Sequence, residues 1–208
     1  MIKIDIGCGM SKHLGTLGVD IAPLAGVDVV ADINTGLPFR DSVIDEVHMS
    51  HTLEHVDDFL ATMEEIWRVC KDGALFYIRL PHGSSSFTTW VDPTHKRGFN
   101  IQTFTYFDPE VNHLSYYSKA RFKLVYSKLA LSTLPAELNG TRLPRRVLSM
   151  VLESVANKSP HWRARTERWF AQLIGFEEAR VVLRAMKPGA PARREGPGLA
   201  SASRRNGA

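Results

Sequence analysis

Short apolar runs separated by polar, glycine-rich turns open the chain. Ile2–Ile6, Val19–Ile21, Val27–Val30, Val43–Met49 and Ala74–Leu80 read as five strands. Most lack a clean polar face, the pattern of strands covered on both sides in a parallel sheet. Between the fourth and fifth runs, Phe59, Leu60, Met63, Ile66, Trp67 and Cys70 recur at the period of an amphipathic helix. Asp57 or Asp58 is placed to cap its start and Gly73 to end it. The first connections are lean. Gly7 to Leu17 is about the minimum for a crossover between parallel strands, with room for a helix of one or two turns. Ile21 to Val27 has no room for a helix, but extended residues at about 3.3–3.6 Å each can still climb back to a neighbouring strand.

Residues 81–118 lack clear periodicity and carry Pro81, Pro93 and Pro109, three histidines and many aromatics, among them Phe87, Trp90, Phe99, Phe104, Tyr106, Phe107, Tyr116 and Tyr117. A stretch of this length and content predicts a functional lid over a substrate. Beyond it, Phe122–Leu131 reads as a strand, 144–157 and 161–173 as helices, and Ala179–Met186 as a last strand. The expected fold class is α/β, a mostly parallel seven-stranded sheet with shortened first crossovers. Residues 1–186 make one domain with a helical insertion at 141–175 before the last strand. Residues 187–208, rich in Pro, Gly, Ala, Ser and Arg, are expected to be a disordered basic tail.

Composition narrows the classes. The chain is 44% hydrophobic and 23% charged, and no apolar run approaches the roughly 20 residues of a membrane span. The start, Met1-Ile2-Lys3-Ile4-Asp5, has no apolar core of a secretion signal. Cys8 and Cys70 give neither a disulfide framework nor paired metal spacing. A cytoplasmic protein with no metal is expected. The formal charge is +4, but residues 1–140 carry 12 Lys and Arg against 17 Asp and Glu, while 141–169 carry 7 against 2 and 187–208 carry 5 against 1. The excess sits in the insertion and the tail, so no specific nucleic-acid groove is expected. Lys119, Arg121, Lys123 and Lys128, with Arg142, Arg145, Arg146, Arg163, Arg165 and Arg168, mark basic surfaces suited to solvent or to an anionic acceptor.

Chemistry concentrates after the first strand. In Asp5-Ile6-Gly7-Cys8-Gly9 the glycines admit close backbone approach, and loop N–H groups are expected to be free for a carboxylate or phosphate. A dinucleotide fingerprint would need Gly or Ala where Lys12 stands. The acidic residue comes early, as Asp20 at the end of the second strand, and a carboxylate there can accept both hydroxyls of a ribose.

Gly7-Cys8-Gly9, Gly18-Val19-Asp20, Ala31-Asp32-Ile33, Leu37-Pro38-Phe39, Asp45 and His51-Thr52-Leu53-Glu54-His55, in this order, resemble the class I methyltransferases that use S-adenosylmethionine, in particular the small-molecule methyltransferase type 11 domain. The resemblance covers about residues 1–80 well and extends more weakly through Asp92-Pro93-Thr94-His95-Lys96-Arg97. It implies a Rossmann-like fold with S-adenosylmethionine as methyl donor. It implies further that Gly7 and Gly9 face the methionine part with Cys8 lending backbone, Asp20 holds the ribose, Asp32 and Ile33 flank the adenine, Ser50 and His51 lie beside the sulfonium, and Asp5 and Ile21 belong to the same cofactor site. The short first crossover, the absent helix before the third strand and Ser11 in place of a third glycine depart from the family and thin the adenine side.

Methyl transfer from a sulfonium is an in-line displacement, so alignment and exclusion of water dominate, with a base needed only to take a proton from the acceptor. His51, His82, Asp92 and His95 stand at loop positions, and His95, His82 and Asp92 are the catalytic candidates because they lie in the expected lid. Oxygen is the preferred target, since no Asn-Pro-Pro-Tyr clamp follows the fourth strand. The acceptor is expected to be a small molecule or a glycan- or lipid-linked group carrying a hydroxyl or amine. Two alternatives stand beside this reading: a non-catalytic scaffold that keeps the cofactor fold, and a zinc hydrolase using His51 and His55 of a literal His-x-x-Glu-His, which would need both imidazoles on one helical face.

Overall fold

The structure, a computed structural model, describes residues 1–112, 115–131 and 143–188. Seven strands form one sheet: β1 Lys3–Ile6, β2 Leu17–Asp20, β3 Val29–Val30, β4 Ile44–Ser50, β5 Cys70–Pro81, β6 Phe122–Ala130 and β7 Glu178–Ala185. The order is β3-β2-β1-β4-β5-β7-β6. β7 is antiparallel to both its neighbours, and the pairings from β3 to β5 are parallel. The expected α/β, mostly parallel seven-stranded class is the one observed. The helices are α1 Phe59–Val69, α2 Ser86–Trp90, α3 Leu143–Ala156, α4 Pro160–Trp169 and α5 Ala171–Ile174, with 3₁₀ turns at Ile101–Phe107 and Ser115–Tyr117. The insertion α3–α5 lies between β6 and β7, as expected, but Phe170 breaks its second half into two helices.

The sheet is covered differently on its two faces, contrary to the expectation of strands buried on both. Ile4, Ile6, Val47, Met49, Phe76, Ile78, Val181 and Leu183 are buried under α1 and the 101–107 turn. The opposite face carries Asp5, His48 and Tyr77 in register across β1, β4 and β5, and His48 and Tyr77 there are only half-buried. The lean first crossover is the cause. Residues 7–16 contain turns and no helix, even of one turn, so no apolar helix covers that side. His13 stacks on His48 instead, with ring centroids 4.2 Å apart, and His48 on Tyr77 at 4.9 Å.

Helix α1 starts where expected, with Asp58 accepting from the Ala61 N–H at 3.0 Å, but it ends at Val69 and β5 follows at once. Gly73 is therefore not a helix cap. It sits at φ +75° inside β5, where the register against β4 shifts between Ile44 and Glu46. Two motifs of the family pattern are structural. Leu37 is buried, its N–H meeting Glu65 at 2.6 Å, and Arg68 ties α1 to the carbonyls of Leu37 and Phe39. Asp45 anchors the start of the chain by accepting from the Ile2 N–H at 2.7 Å.

The 81–118 stretch divides. Phe99, Phe104 and Phe107 are core residues that pack edge-on to Phe59 of α1. Phe87, Trp90, Tyr116 and Tyr117 are exposed. The body also extends past the expected domain end: Lys187 lies over the Trp67 ring at 3.7 Å and its N–H meets Asp72 at 3.0 Å. The expected tail from residue 189 onward, and Arg142 in the insertion, lie outside the described residues.

Candidate functional site

At the carboxyl ends of β1, β2 and β4 a cavity of about 350 Å³ is lined by Gly7, Asp20, Ile21, Asp32, Ile33, Asn34, His51, Thr52 and His55, among others. Its location follows from topology. The strand order reverses between β1 and β4, and an open α/β sheet leaves its crevice at such a switch point.

Gly7 lets the first loop reach the β4 loop. It adopts φ +69°, and a Cβ there would run into the Thr52 side chain, which would have to move aside. The loop N–H groups are not free as expected. Gly7 and Cys8 both donate to the Val19 carbonyl, at 2.8 and 3.3 Å, and Gly9 donates to Asp20 Oδ2 at 2.8 Å. Asp20 Oδ1 accepts from the Ala22 N–H at 3.0 Å. A carboxylate offers about four lone-pair positions, so two loop bonds orient Asp20 and leave two for a ligand. Asp32 closes a local turn by accepting from Asn34 N–H and Nδ2, both at 2.9 Å, and Asn34 in turn accepts from the Asp57 N–H. Ile21 stands mostly exposed on the cavity rim, an apolar surface for a flat ring.

The sequence-predicted residues are not all together. Gly7, Asp20, Ile21, Asp32, Ile33 and His51 line this cavity. Asp5 and Ser50 line a second one, of about 200 Å³, with Ser11, His13, His48, Tyr77 and Arg79. There Asp5 is buried and accepts from the His13 N–H at 2.7 Å. Gly9 reaches the first site through its bond to Asp20. Cys8 is buried, and desolvation together with Asp5 and Asp20 pushes its thiol upward, which suits packing rather than reactivity.

Among the catalytic candidates, His82 has another occupation. It is buried between Ser84 Oγ at 2.8 Å and Glu167 Oε1 at 2.9 Å, fastening α4 to the loop after β5, and it lines neither cavity. His95 and Asp92 converge instead with the β4 loop. Asp92 Oδ1 accepts from Thr94 Oγ1 at 2.6 Å, Thr94 Oγ1 faces His55 Nδ1 at 2.9 Å, and the His55 and His95 rings meet edge-on at 4.7 Å.

His51 sits in the left-handed region at φ +53°, unusual for a side-chain-bearing residue and typical of functional turns. It leaves β4 at this bend, well before α1, so His51 and His55 share no helical face and the zinc-peptidase geometry is not formed. His51 Nε2 meets Glu178 Oε2 at 3.3 Å, and Nδ1 lies 3.4 Å from Glu54 Oε1. Glu178 and Glu54 together lift the imidazole to about 9, so it is cationic at neutral pH and is no base. Glu178 is fully buried. Burial alone would raise its carboxyl, but donation from His51, Arg79 and Arg180 outweighs that and holds it at about 2.

Sequence reading gave no role to Glu54, Thr94 or Glu178, and gave His55 one only as a ligand in the zinc-hydrolase alternative. The signal for Glu178 was an acid at the head of an otherwise apolar and basic strand. For Glu54 it was a carboxylate between two histidines that periodicity could not place.

Residues 4–78 match the sequence model of a family described as a methyltransferase domain. No curated protein matches the chain. Among solved structures, it is similar to an S-adenosylmethionine-dependent methyltransferase from Archaeoglobus fulgidus, with 19% identity over 88% of this chain and 85% of the other and a TM-score of 0.53. It is also similar to the YcgJ protein of Bacillus subtilis, with 15% identity over 90% and 92% and a TM-score of 0.53. At such identities the structures show the fold, and with the methyltransferase-domain match over residues 4–78 they make the chain similar to the class I S-adenosylmethionine-dependent methyltransferases.

Proposed function

We propose that the chain moves the methyl group of S-adenosylmethionine to a hydroxyl oxygen of an acceptor that is a small molecule or a glycan- or lipid-linked group. The observation that carries the cofactor half is Asp20, pre-oriented by Gly9 and Ala22 with lone pairs left over the cavity. In this reading Asp20 accepts the two ribose hydroxyls, Ile21 and Ile33 sandwich the adenine beside Asp32, and the bend at Gly7 lets the methionine part pass close to the backbone. A cavity of about 350 Å³ lies in the usual range for small ligands.

Transfer breaks the S–CH₃ bond, forms O–CH₃ and leaves a neutral thioether, and the acceptor's proton must go elsewhere. That proton falls to the imidazole and carboxylate cluster of Glu54, His55 and His95, because His51 is already protonated and His82 is occupied. Asp92 acts through Thr94, holding His55 in one orientation. The insertion α3–α5 rises from the same carboxyl edge of the sheet and exposes Met150, Trp169, Phe170 and Leu173, with Arg168 over the Trp169 ring. Such a surface suits an acceptor with an apolar or anionic carrier.

The test is release of S-adenosylhomocysteine on matched alcohol and amine acceptors, free and lipid-linked, with the product identified by mass spectrometry. Methyl ether formation is expected. Turnover confined to amines would refute the oxygen assignment.

A further inference from the structure

Glu54 is fully buried, yet neither of its carboxylate oxygens makes a hydrogen bond. Its nearest polar neighbours are His51 Nδ1, 3.4 Å from Oε1, and His95 Nε2, 3.9 Å from the same oxygen. A fully buried carboxylate with no hydrogen bond, whose charge partner is the half-exposed His51 ring 3.4 Å away, is left under-satisfied for a protein interior. One ligand atom each from Glu54, His55 and His95 lies within 4.8 Å of the other two.

The surrounding bonds fix what these atoms offer. His95 Nδ1 faces the Thr89 carbonyl at 2.7 Å, so Nδ1 carries the proton and Nε2 the lone pair. Thr94 gives its hydroxyl proton to Asp92 Oδ1 at 2.6 Å, so its oxygen accepts from His55 Nδ1 at 2.9 Å. His55 Nε2 is then also a lone-pair nitrogen. Both imidazoles are thus held from behind by an acceptor, the outer arrangement that metal-binding histidines show. Two imidazoles and a carboxylate thus come together within 4.8 Å, with the His51 ring on one side of Glu54. A cluster of acceptors calls for a cation.

We infer that Glu54, His55 and His95 form a binding site for a divalent first-row transition ion. Two imidazoles with one carboxylate favour iron, cobalt, nickel or zinc over calcium or magnesium, which take oxygen ligands. Nitrogen and oxygen ligands sit about 2.0–2.2 Å from such an ion, so the three side chains must draw in by roughly 1 Å. Three protein ligands leave coordination positions open. His55 also lines the cofactor cavity. Resting on the methyl-transfer reading, the loaded ion takes over the part of the metal-free cluster: it binds the acceptor hydroxyl, whose O–H bond breaks with its proton passing to water, since the lone pairs of His55 and His95 are then held by the ion. The oxygen then attacks the methyl carbon, and the S–C electron pair stays on sulfur.

The experiment is titration of chelator-stripped full-length protein with Co(II), followed by its visible ligand-field bands, and with Zn(II) by calorimetry. One equivalent is expected. Glu54→Gln and His95→Ala should abolish stoichiometric binding, with circular dichroism confirming folded protein. Thr94→Val, which removes only the support behind His55, should weaken binding by about 10- to 100-fold. His161→Ala, on the exposed surface of α4, should leave it unchanged. No binding of either ion by wild type, or binding indifferent to both Glu54→Gln and His95→Ala, overturns the inference. S-adenosylmethionine binding by the metal-free protein is measured alongside. Cofactor binding without metal binding sinks the metal site and leaves the methyl-transfer reading standing. Metal binding without cofactor binding sinks the latter and leaves the site.

Discussion

Asp20 offers the most direct test of the cofactor reading, because its two oxygens are already committed in a known way. Oδ2 accepts from Gly9 and Oδ1 from Ala22, at 2.8 and 3.0 Å. Asp20→Asn replaces one oxygen with a donor. That amide group then opposes one of the two backbone N–H groups and can no longer accept from one ribose hydroxyl. A hydrogen bond to a charged group is worth about 1.5–3 kcal/mol, which corresponds to a 10- to 150-fold rise in Kd at about 1.4 kcal/mol per decade. Asp20→Ala removes both ribose contacts and also frees the Gly9 and Ala22 N–H groups, so it should bind more weakly still and melt at a lower temperature. Calorimetry with S-adenosylmethionine and S-adenosylhomocysteine on folded protein reads the first effect, and thermal unfolding without ligand reads the second. The comparison separates two roles. If both variants lose stability but keep the wild-type Kd, Asp20 only braces the loop and the ribose assignment is wrong.

Three further outcomes follow from the geometry. Gly7→Ala should be strongly destabilising, about 1–2 kcal/mol from the left-handed backbone with a further loss from the clash at Thr52, and Gly7→Ala/Thr52→Ala should recover part of the lost melting temperature. Glu178→Gln should remove about 1–3 kcal/mol at neutral pH, the linkage value discounted because Arg79 and Arg180 are each partly solvated. Since the folded carboxyl is depressed to about 2, this contribution is complete above the ordinary glutamate range and fades as pH falls toward 2. Urea unfolding at pH 7 and pH 3 should therefore show wild type and variant converging in acid, and a constant gap would contradict the charge-pair account. Phe104→Ala should cost about 3–5 kcal/mol, because its ring is fully buried against Phe59 and Phe99, whereas Trp90→Ala on the exposed part of the same stretch should fall within about 0.5 kcal/mol. Equal small losses in chemical denaturation would mean that residues 99–107 are a lid and not a core wall.

What could be read from the chain alone was whatever is local. Short apolar runs expose the strands around Ile4, Val47, Phe76 and Val181, a 3.6-residue period exposes the stripe of α1, and a glycine bend followed by an acid exposes Asp20. The errors have one physical origin, in that a residue's environment is set by chain far away. Phe99, Phe104 and Phe107 lie in a stretch without periodicity because their order comes from α1 and not from their own helix. His51 lines the cavity as a cofactor contact would, but its charge was not legible, because it is set by Glu54 and by Glu178, 127 positions later and delivered by the antiparallel strand β7. The alternating half-exposed face of β4 and β5 was hidden for the complementary reason: Asp5, His48 and Tyr77 look odd in their strands only once the first crossover is known to lack a helix. The same logic locates the chemistry. β4 supplies the bend at His51, β7 brings the acid that charges it, and the turn after α2 brings Asp92, Thr94 and His95 back onto His55. An acceptor-deprotonating group could not be identified from any one of these segments, because none is complete without the other two.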